Sequence, residues 1–149
     1  MSAIRKISIV GAGAMGAAYA AMFTDAVGFS VSFVARGKRY EGLKNKTFTI
    51  NDKLYQVPVI HADKLVEPAD LIIVALKHHH LAGAVADIAA LAGSDTAILS
   101  VMNGLESEKI IGATCGMDKL VYAIAVGIDA MREGNCFTYA NPGKIIFGP

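Results

Sequence analysis

The stretch that decides the fold is Lys6-Ile-Ser-Ile-Val-Gly-Ala-Gly-Ala-Met-Gly16, running on into Ala17-Ala-Tyr-Ala-Ala-Met-Phe23. Lys6 to Val10 is a short β-branched run that reads as a buried strand. Gly11-Ala12-Gly13 interrupts it, and Ala14 to Val27 then reads as an alanine-rich helix. The glycines fit G-x-G-x-x-G, a weak pattern alone. Here its required context is present: a strand before, a helix after, and a second strand ending about 20 residues on. In such a unit Gly11 allows the tight turn, Gly13 lets backbone approach a pyrophosphate, and Gly16 lets the helix pack close to the strand. The helix N-terminus offers free N–H groups and the positive end of its dipole to the phosphates. Gly11, Ala12, Gly13, Ala14, Met15 and Gly16 are therefore the expected pyrophosphate-loop contacts.

Downstream the same rhythm continues. Phe29 to Ala35 reads as a strand, Gly37 to Lys46 as a short polar helix, and Thr47 to Ile50 with Lys53 to Val57 as a hairpin around Asn51-Asp52. The unbroken apolar run Leu71 to Leu76 predicts a strand buried on both faces, as in a parallel sheet. A helix over His78 to Leu91, a strand over Thr96 to Val101, a short helix over Leu105 to Gly112 and a strand over Leu120 to Val126 follow. Cys136 to Ala140 and Lys144 to Phe147 flank Asn141-Pro142-Gly143, a turn signal for a C-terminal β-hairpin. Strand alternating with helix predicts an α/β fold with a doubly wound, mostly parallel sheet of the Rossmann type.

The end of the second strand decides which dinucleotide is read. An NAD site places Asp or Glu there for the ribose 2′-hydroxyl. This chain has Arg36, Gly37, Lys38 and Arg39, with no carboxylate until Glu41. A guanidinium suits bidentate phosphate contact, so the reading is NADP through Arg36, with Lys38 or Arg39 beside it. The alternative is a solvated basic turn.

Composition bounds the rest. The 149 residues make one dinucleotide-binding domain, 54% hydrophobic and only 18% charged, with net charge +1. A disordered tail, a coiled coil and a charge-driven nucleic-acid arm are excluded, and no apolar run approaches the roughly 18 residues of a membrane helix. Charge is uneven: Arg36 to Lys53 carries a local balance of +4 and the remainder −3, which points to one local anionic ligand. Cys115 and Cys136 form neither a metal spacing nor a disulfide framework, so a reducing cytoplasm is expected. A superficial signal-peptide pattern ending at Ala18-Tyr19-Ala20 is broken by its glycines. Stopping at Pro149 directly after a strand-like segment, the chain looks cut.

In an open α/β sheet, ligands sit outside the carboxyl ends of the strands. Lys77 follows one predicted strand directly and Asn103 another by two residues, so both are candidate catalytic residues facing the cofactor crevice. A plain strand-end lysine and an Asn-Gly turn are the alternatives.

At this point the chain resembles the ketopantoate reductase (2-dehydropantoate 2-reductase) family. The resemblance lies in Gly11-Ala-Gly-Ala-Met-Gly16, Ala35-Arg36-Gly37, Val74-Ala-Leu-Lys77, Met102-Asn103-Gly104-Leu105, and the tail from Arg132-Glu-Gly-Asn135 through Gly143-Lys-Ile-Ile-Phe-Gly148. The ordered set spans the whole chain and is specific, although each motif alone is not. It implies NADPH-dependent reduction of a small-molecule 2-keto acid, ketopantoate, on the way to pantothenate and coenzyme A. It also implies that Lys77 and Asn103 line the nicotinamide and substrate end, and that backbone near Ala130 meets the cofactor. In that family the proton donor is a lysine in a helical C-terminal domain absent from this chain. These residues alone should then bind cofactor and turn over poorly or not at all.

His78-His79-His80 point about 100° apart on a helix and cannot jointly ligate one ion, so no metal is expected. Asn45-Lys46-Thr47 is a formal glycosylation sequon, irrelevant in a cytoplasmic protein. Two other readings stay open: a free-standing dinucleotide-sensing module, and another NADP-dependent 2-hydroxyacid dehydrogenase. The exact 2-keto acid and association into a homo-oligomer are open as well. Neither nucleic acid nor membrane is an expected partner.

Overall fold

The computed structural model describes residues 3–64, 67–102 and 106–148. Its elements are β1 (Lys6–Val10), α1 (Ala14–Asp25), β2 (Ser30–Ala35), α2 (Gly37–Leu43), β3 (Phe48–Ile50), β4 (Lys53–Tyr55), β5 (Val59–His61), β6 (Ala69–Val74), α3 (His78–Leu91), β7 (Ala92–Ser100), α4 (Glu106–Cys115), β8 (Leu120–Val126), β9 (Met131–Glu133), β10 (Cys136–Thr138) and β11 (Lys144–Gly148). Two 3-10 turns, Ala62–Lys64 and Met117–Lys119, precede β6 and β8.

Seven strands form the main sheet in the order β11-β8-β7-β6-β1-β2-β5. All neighbours are parallel except β11 against β8. The chain winds outward from β1 through β2 to β5, then crosses to β6 and winds the other way. This is the doubly wound order, and it opens a crevice at the carboxyl ends of β1 and β6, where the winding reverses.

Local chemistry explains why the layers close. Gly11 has φ +114°, and a Cβ there would run into the carbonyl oxygen of Ala75 after β6. A Cβ on Gly16 would collide with the carbonyl oxygen of Gly11, so α1 sits tight on the turn. Buried Ala17, Ala18, Ala20 and Ala21 keep that face of the helix thin. On the opposite face α3 buries Leu81, Val85, Ile88 and Leu91 at helical spacing against Val74, Ile72 and Ile98. Leu81 and Ile88 are fully buried, each worth roughly 2 kcal/mol of transfer free energy. Asp70 pins the start of β1: its Oδ2 accepts the backbone N–H of Lys6 at 2.8 Å and of Arg5 at 2.9 Å. Those two donors hold its carboxyl below the usual range.

A second sheet, β4-β3-β10-β9, packs with α1 over the first. Phe48 and Phe137 meet in it with ring centroids 5.8 Å apart. The hairpin expected at Asn51-Asp52 is present, with both residues left-handed (φ 50° and 63°) as a two-residue reversal requires.

The expected C-terminal hairpin is corrected. Cys136 to Ala140 and Lys144 to Phe147 do not pair with each other. β10 pairs with β9 across Gly134-Asn135 and with β3, whereas β11 turns back onto β8. The Asn141-Pro142-Gly143 turn instead carries the chain between sheets, held by Asp129 Oδ1, which accepts the N–H of Ala140 and of Asn141 at 2.9 and 2.8 Å. The real hairpin turns on Gly134 (φ +62°) at its first central position, where a II′ turn needs glycine.

One face of β8 and β11 is bare. Tyr122, Ile124, Val126 and Ile146 all lie exposed on it, Ile124 and Ile146 each at 61%. Among the described residues no helix is long and apolar enough to cross a membrane.

Candidate functional site

At the carboxyl ends of β1, β2 and β6 runs a cleft with two connected lobes. Both are walled by Gly11, Ala12, Arg39, Leu43, Leu76 and His80. The smaller lobe, about 220 Å³, reaches the end of β2 at Arg36 and the side of α3 at Asp87. The larger, about 450 Å³, adds Gly13, Lys46, Lys77, His79 and Arg132.

The glycine turn opens on the larger lobe. Gly13 is the N-cap of α1, and a Cβ built there would meet nothing within 4 Å. No side chain caps α1, and none caps α3, whose N-cap is Lys77. Two helix N-termini of 12 and 14 residues thus present uncapped N–H groups, which is the backbone condition for holding phosphate.

The side chains add charge of the same sign. Among the described residues, none of Arg39, Lys46, Lys77 and Arg132 lies within 4 Å of a carboxylate. Lys46 sits 5.2 Å from the Phe48 ring centre and 5.9 Å from that of Phe137, while the Arg132 guanidinium is 5.4 Å from Phe137. Burial and then the Arg132 charge push the Lys46 ammonium below its ordinary range. Burial, then Arg39, His79 and Lys77, push His80 down likewise. Like charges held together without counter-charge raise the local potential, and an anion entering the lobe relieves it.

The β2 end is arranged differently. Arg36 Nε donates to Asp87 Oδ1 and Oδ2 at 3.0 and 3.1 Å, and Nη2 to the same Oδ1 at 2.7 Å. Nη2 also donates to Asp63 Oδ1 at 2.9 Å. The two carboxylates, Asp87 first, hold the guanidinium well above its ordinary range.

Of the residues predicted from sequence, the cleft gathers Gly11, Ala12, Gly13, Arg36 and Lys77. Ala14, Met15 and Gly16 form the first turn of α1 behind it, and Ala130 sits half-buried between β8 and β9, off the cleft walls. Asn103 lies outside the described residues. The segment around it is bracketed by a buried polar network, Ser100 Oγ to Ser107 Oγ at 2.8 Å and Ser107 Oγ to Glu108 Oε2 at 3.0 Å. The sequence reading missed Lys46, Arg132, Asp63 and Asp87. Lys46 lay inside the basic segment already marked for an anion and Arg132 inside the tail that carries the family resemblance, but the two aspartates carried no local signal. Among the described residues no three His, Cys, Asp or Glu side chains converge to hold a metal ion.

A family profile described as ketopantoate reductase PanE/ApbA matches residues 7–149. The chain belongs to the ketopantoate reductase family. A 2-dehydropantoate 2-reductase from Mesorhizobium japonicum is 38% identical over 104 residues, covering 67% of this chain and 32% of the relative. The crystal structure of 2-dehydropantoate 2-reductase from Geobacter metallireducens superposes at a TM-score of 0.78, with 27% identity, over 96% of this chain and 48% of that one. A ternary structure of D-mandelate dehydrogenase with NADH and anilino(oxo)acetate superposes equally well, at 0.78 and 26% identity, over 94% of this chain and 47% of its own. The chain spans about a third of the curated relative and about half of these solved structures.

Proposed function

We propose that this chain is the dinucleotide-binding domain of an NADPH-dependent 2-keto acid reductase, with 2-dehydropantoate as substrate and pantoate as product. The observation that carries the reading is the larger lobe, where an open Gly13, two uncapped helix N-termini and four cations with no carboxylate within 4 Å among the described residues converge. Those residues fit a dinucleotide diphosphate. When bound, a reduced nicotinamide supplies a hydride to the carbonyl carbon of the keto acid.

The chain's own groups bind and orient. Gly11, Ala12 and Gly13 form the floor for the diphosphate, and Arg36, with Lys38 or Arg39, reads the adenosine end. The remaining loop positions Ala14, Met15 and Gly16 set the start of α1 beneath it. Lys77, an exposed ammonium at the N-cap of α3, is assigned by family resemblance to the nicotinamide and substrate end. Asn103 and the backbone near Ala130 are assigned to the nicotinamide end by family resemblance. By family resemblance, the proton for the new alkoxide is assigned to a lysine of a helical C-terminal domain. Free Cys115 and Cys136 suit a reducing cytoplasm.

A second reading is favoured by one observation. Two carboxylates face Arg36, an arrangement compatible with the NADH held in the D-mandelate dehydrogenase structure. An NADH-dependent 2-hydroxyacid dehydrogenase with a different 2-keto acid is therefore the alternative. Calorimetric titration of this chain with NADPH and with NADH tests both. Tighter NADPH, weakened about tenfold in Arg36→Ala while NADH is little changed, is expected from loss of a charge-assisted contact. Tighter NADH turns the assignment to the second reading, and no binding of either sinks both.

A further inference from the structure

The Arg36 guanidinium has five N–H donors on two usable edges, one side-on through Nε and Nη2 and one end-on through Nη1 and Nη2. Asp87 fills the side edge. Its three contacts of 2.7–3.1 Å use Nε and the inner hydrogen of Nη2, and its side chain, on α3, is only 11% exposed. Asp63 stands at the other edge, 2.9 Å from Nη2. It belongs to the 3-10 turn after β5, its side chain is 64% exposed, and its backbone N–H donates to His61 Nδ1 at 3.1 Å. Among the described residues, no hydrogen bond involves Nη1.

A ribose 2′-phosphate approaching from the cleft finds the side edge closed and must use the end edge. There it meets Nη1 unengaged but the outward hydrogen of Nη2 already given to Asp63. The bidentate grip that makes arginine a phosphate reader is thus half occupied by a carboxylate. One guanidinium between two carboxylates also carries a local charge of the wrong sign for a phosphate.

We propose that Asp63 is a specificity-determining residue that competes with the cofactor's 2′-phosphate for the end edge of Arg36, while Asp87 is a positioning residue that fixes the side edge. The inference rests on reading the cleft as a dinucleotide site. It deepens that reading: the adenosine end is tuned against strong NADPH preference, although it contains the residue that would confer one. Asp63, exposed and held to Arg36 by one hydrogen bond, can be displaced. Asp87, nearly enclosed and bidentate, is not.

The two carboxylates make opposite predictions although each substitution removes one negative charge. In calorimetric titrations, Asp63→Asn raises the ratio of NADPH to NADH affinity about threefold to tenfold, the range for an exposed ion pair plus relief of like-charge repulsion. Asp87→Ala lowers that ratio at least about twofold, because an unanchored guanidinium loses the orientation a phosphate needs. A merely structural role for Asp87 would weaken both cofactors alike and leave the ratio unmoved. A thermal melt of each variant checks that it folds. An unchanged ratio in Asp63→Asn overturns the proposal, as does an equal rise in both variants, which bare charge would produce. Failure of the unsubstituted chain to bind either dinucleotide overturns the cofactor reading itself.

Discussion

The two lobes of the cleft use arginine and lysine in opposite ways. At the β2 end, Arg36 is matched by Asp87 and Asp63, so its charge is spent inside the protein. At the glycine-turn end, Lys46, Lys77 and Arg132, with Arg39 shared between the lobes, have no carboxylate within 4 Å among the described residues. The contrast separates two jobs. Overall attraction for an anionic ligand comes from the unpaired end, whereas choice between close relatives of that ligand comes from a small balance at the paired one.

The harshest way to break that division is Gly13→Val. Gly13 has ordinary backbone angles (φ −78°) and open space around it, so the variant folds. The branched side chain fills the phosphate path, and affinity for NADH and NADPH falls together by about a hundredfold, a loss typical of removing a buried contact region. Normal binding by a folded Gly13→Val protein would move the diphosphate elsewhere. Calorimetry beside a thermal melt reads both.

A gentler test removes the aromatic-backed pair. Lys46→Ala with Arg132→Ala should weaken both cofactors equally, by about tenfold at low salt and less at high salt, since mobile ions screen such fields. Selective loss of NADPH would mean that these cations reach the adenosine end, and the division between lobes would collapse.

The smallest effect belongs to His80, which lines both lobes. Burial, then Arg39, His79 and Lys77, lower its pKa from the ordinary histidine value. An anionic ligand raises that pKa again, so binding takes up a proton. Affinity should therefore increase as pH falls through the region just below the ordinary histidine value, by no more than about threefold. His80→Gln should flatten the slope; a slope that survives it belongs to another group.

What the sequence made legible follows from distance along the chain. The β1-turn-α1 unit, α3 from His78 to Leu91 and β8 from Leu120 to Val126 all announce themselves by local periodicity and flanking glycine. Lys77 was placed because a residue at a parallel strand's carboxyl end faces the crevice whatever its partners are. The second sheet was legible only at its β3-β4 hairpin, where Asn51-Asp52 marks the turn. Its strands are three residues long, too short for a period, and β3 finds β10 nearly ninety residues away, with Cys136 opposite Thr49. Local turn chemistry at Asn141-Pro142-Gly143 marks a reversal but cannot say which strand receives the chain. The pairing of Arg36 with Asp87, 51 residues on, is likewise a tertiary fact. Reading Arg36 by its charge alone therefore assigned it more freedom than it has.

The bare face of β8 and β11 governs how the chain behaves at high concentration. Among the described residues β11 is the edge strand of its sheet, so a row of unpaired backbone groups lies beside exposed Ile146, Ile124 and Val126. A free strand edge bordered by apolar side chains is a template for pairing between copies. Colloidal stability of the isolated chain is thus set at the edge of the sheet farthest from β5, remote from the cleft. A lysine at position 146 is the change most apt to keep concentrated solutions clear, without touching the lobes.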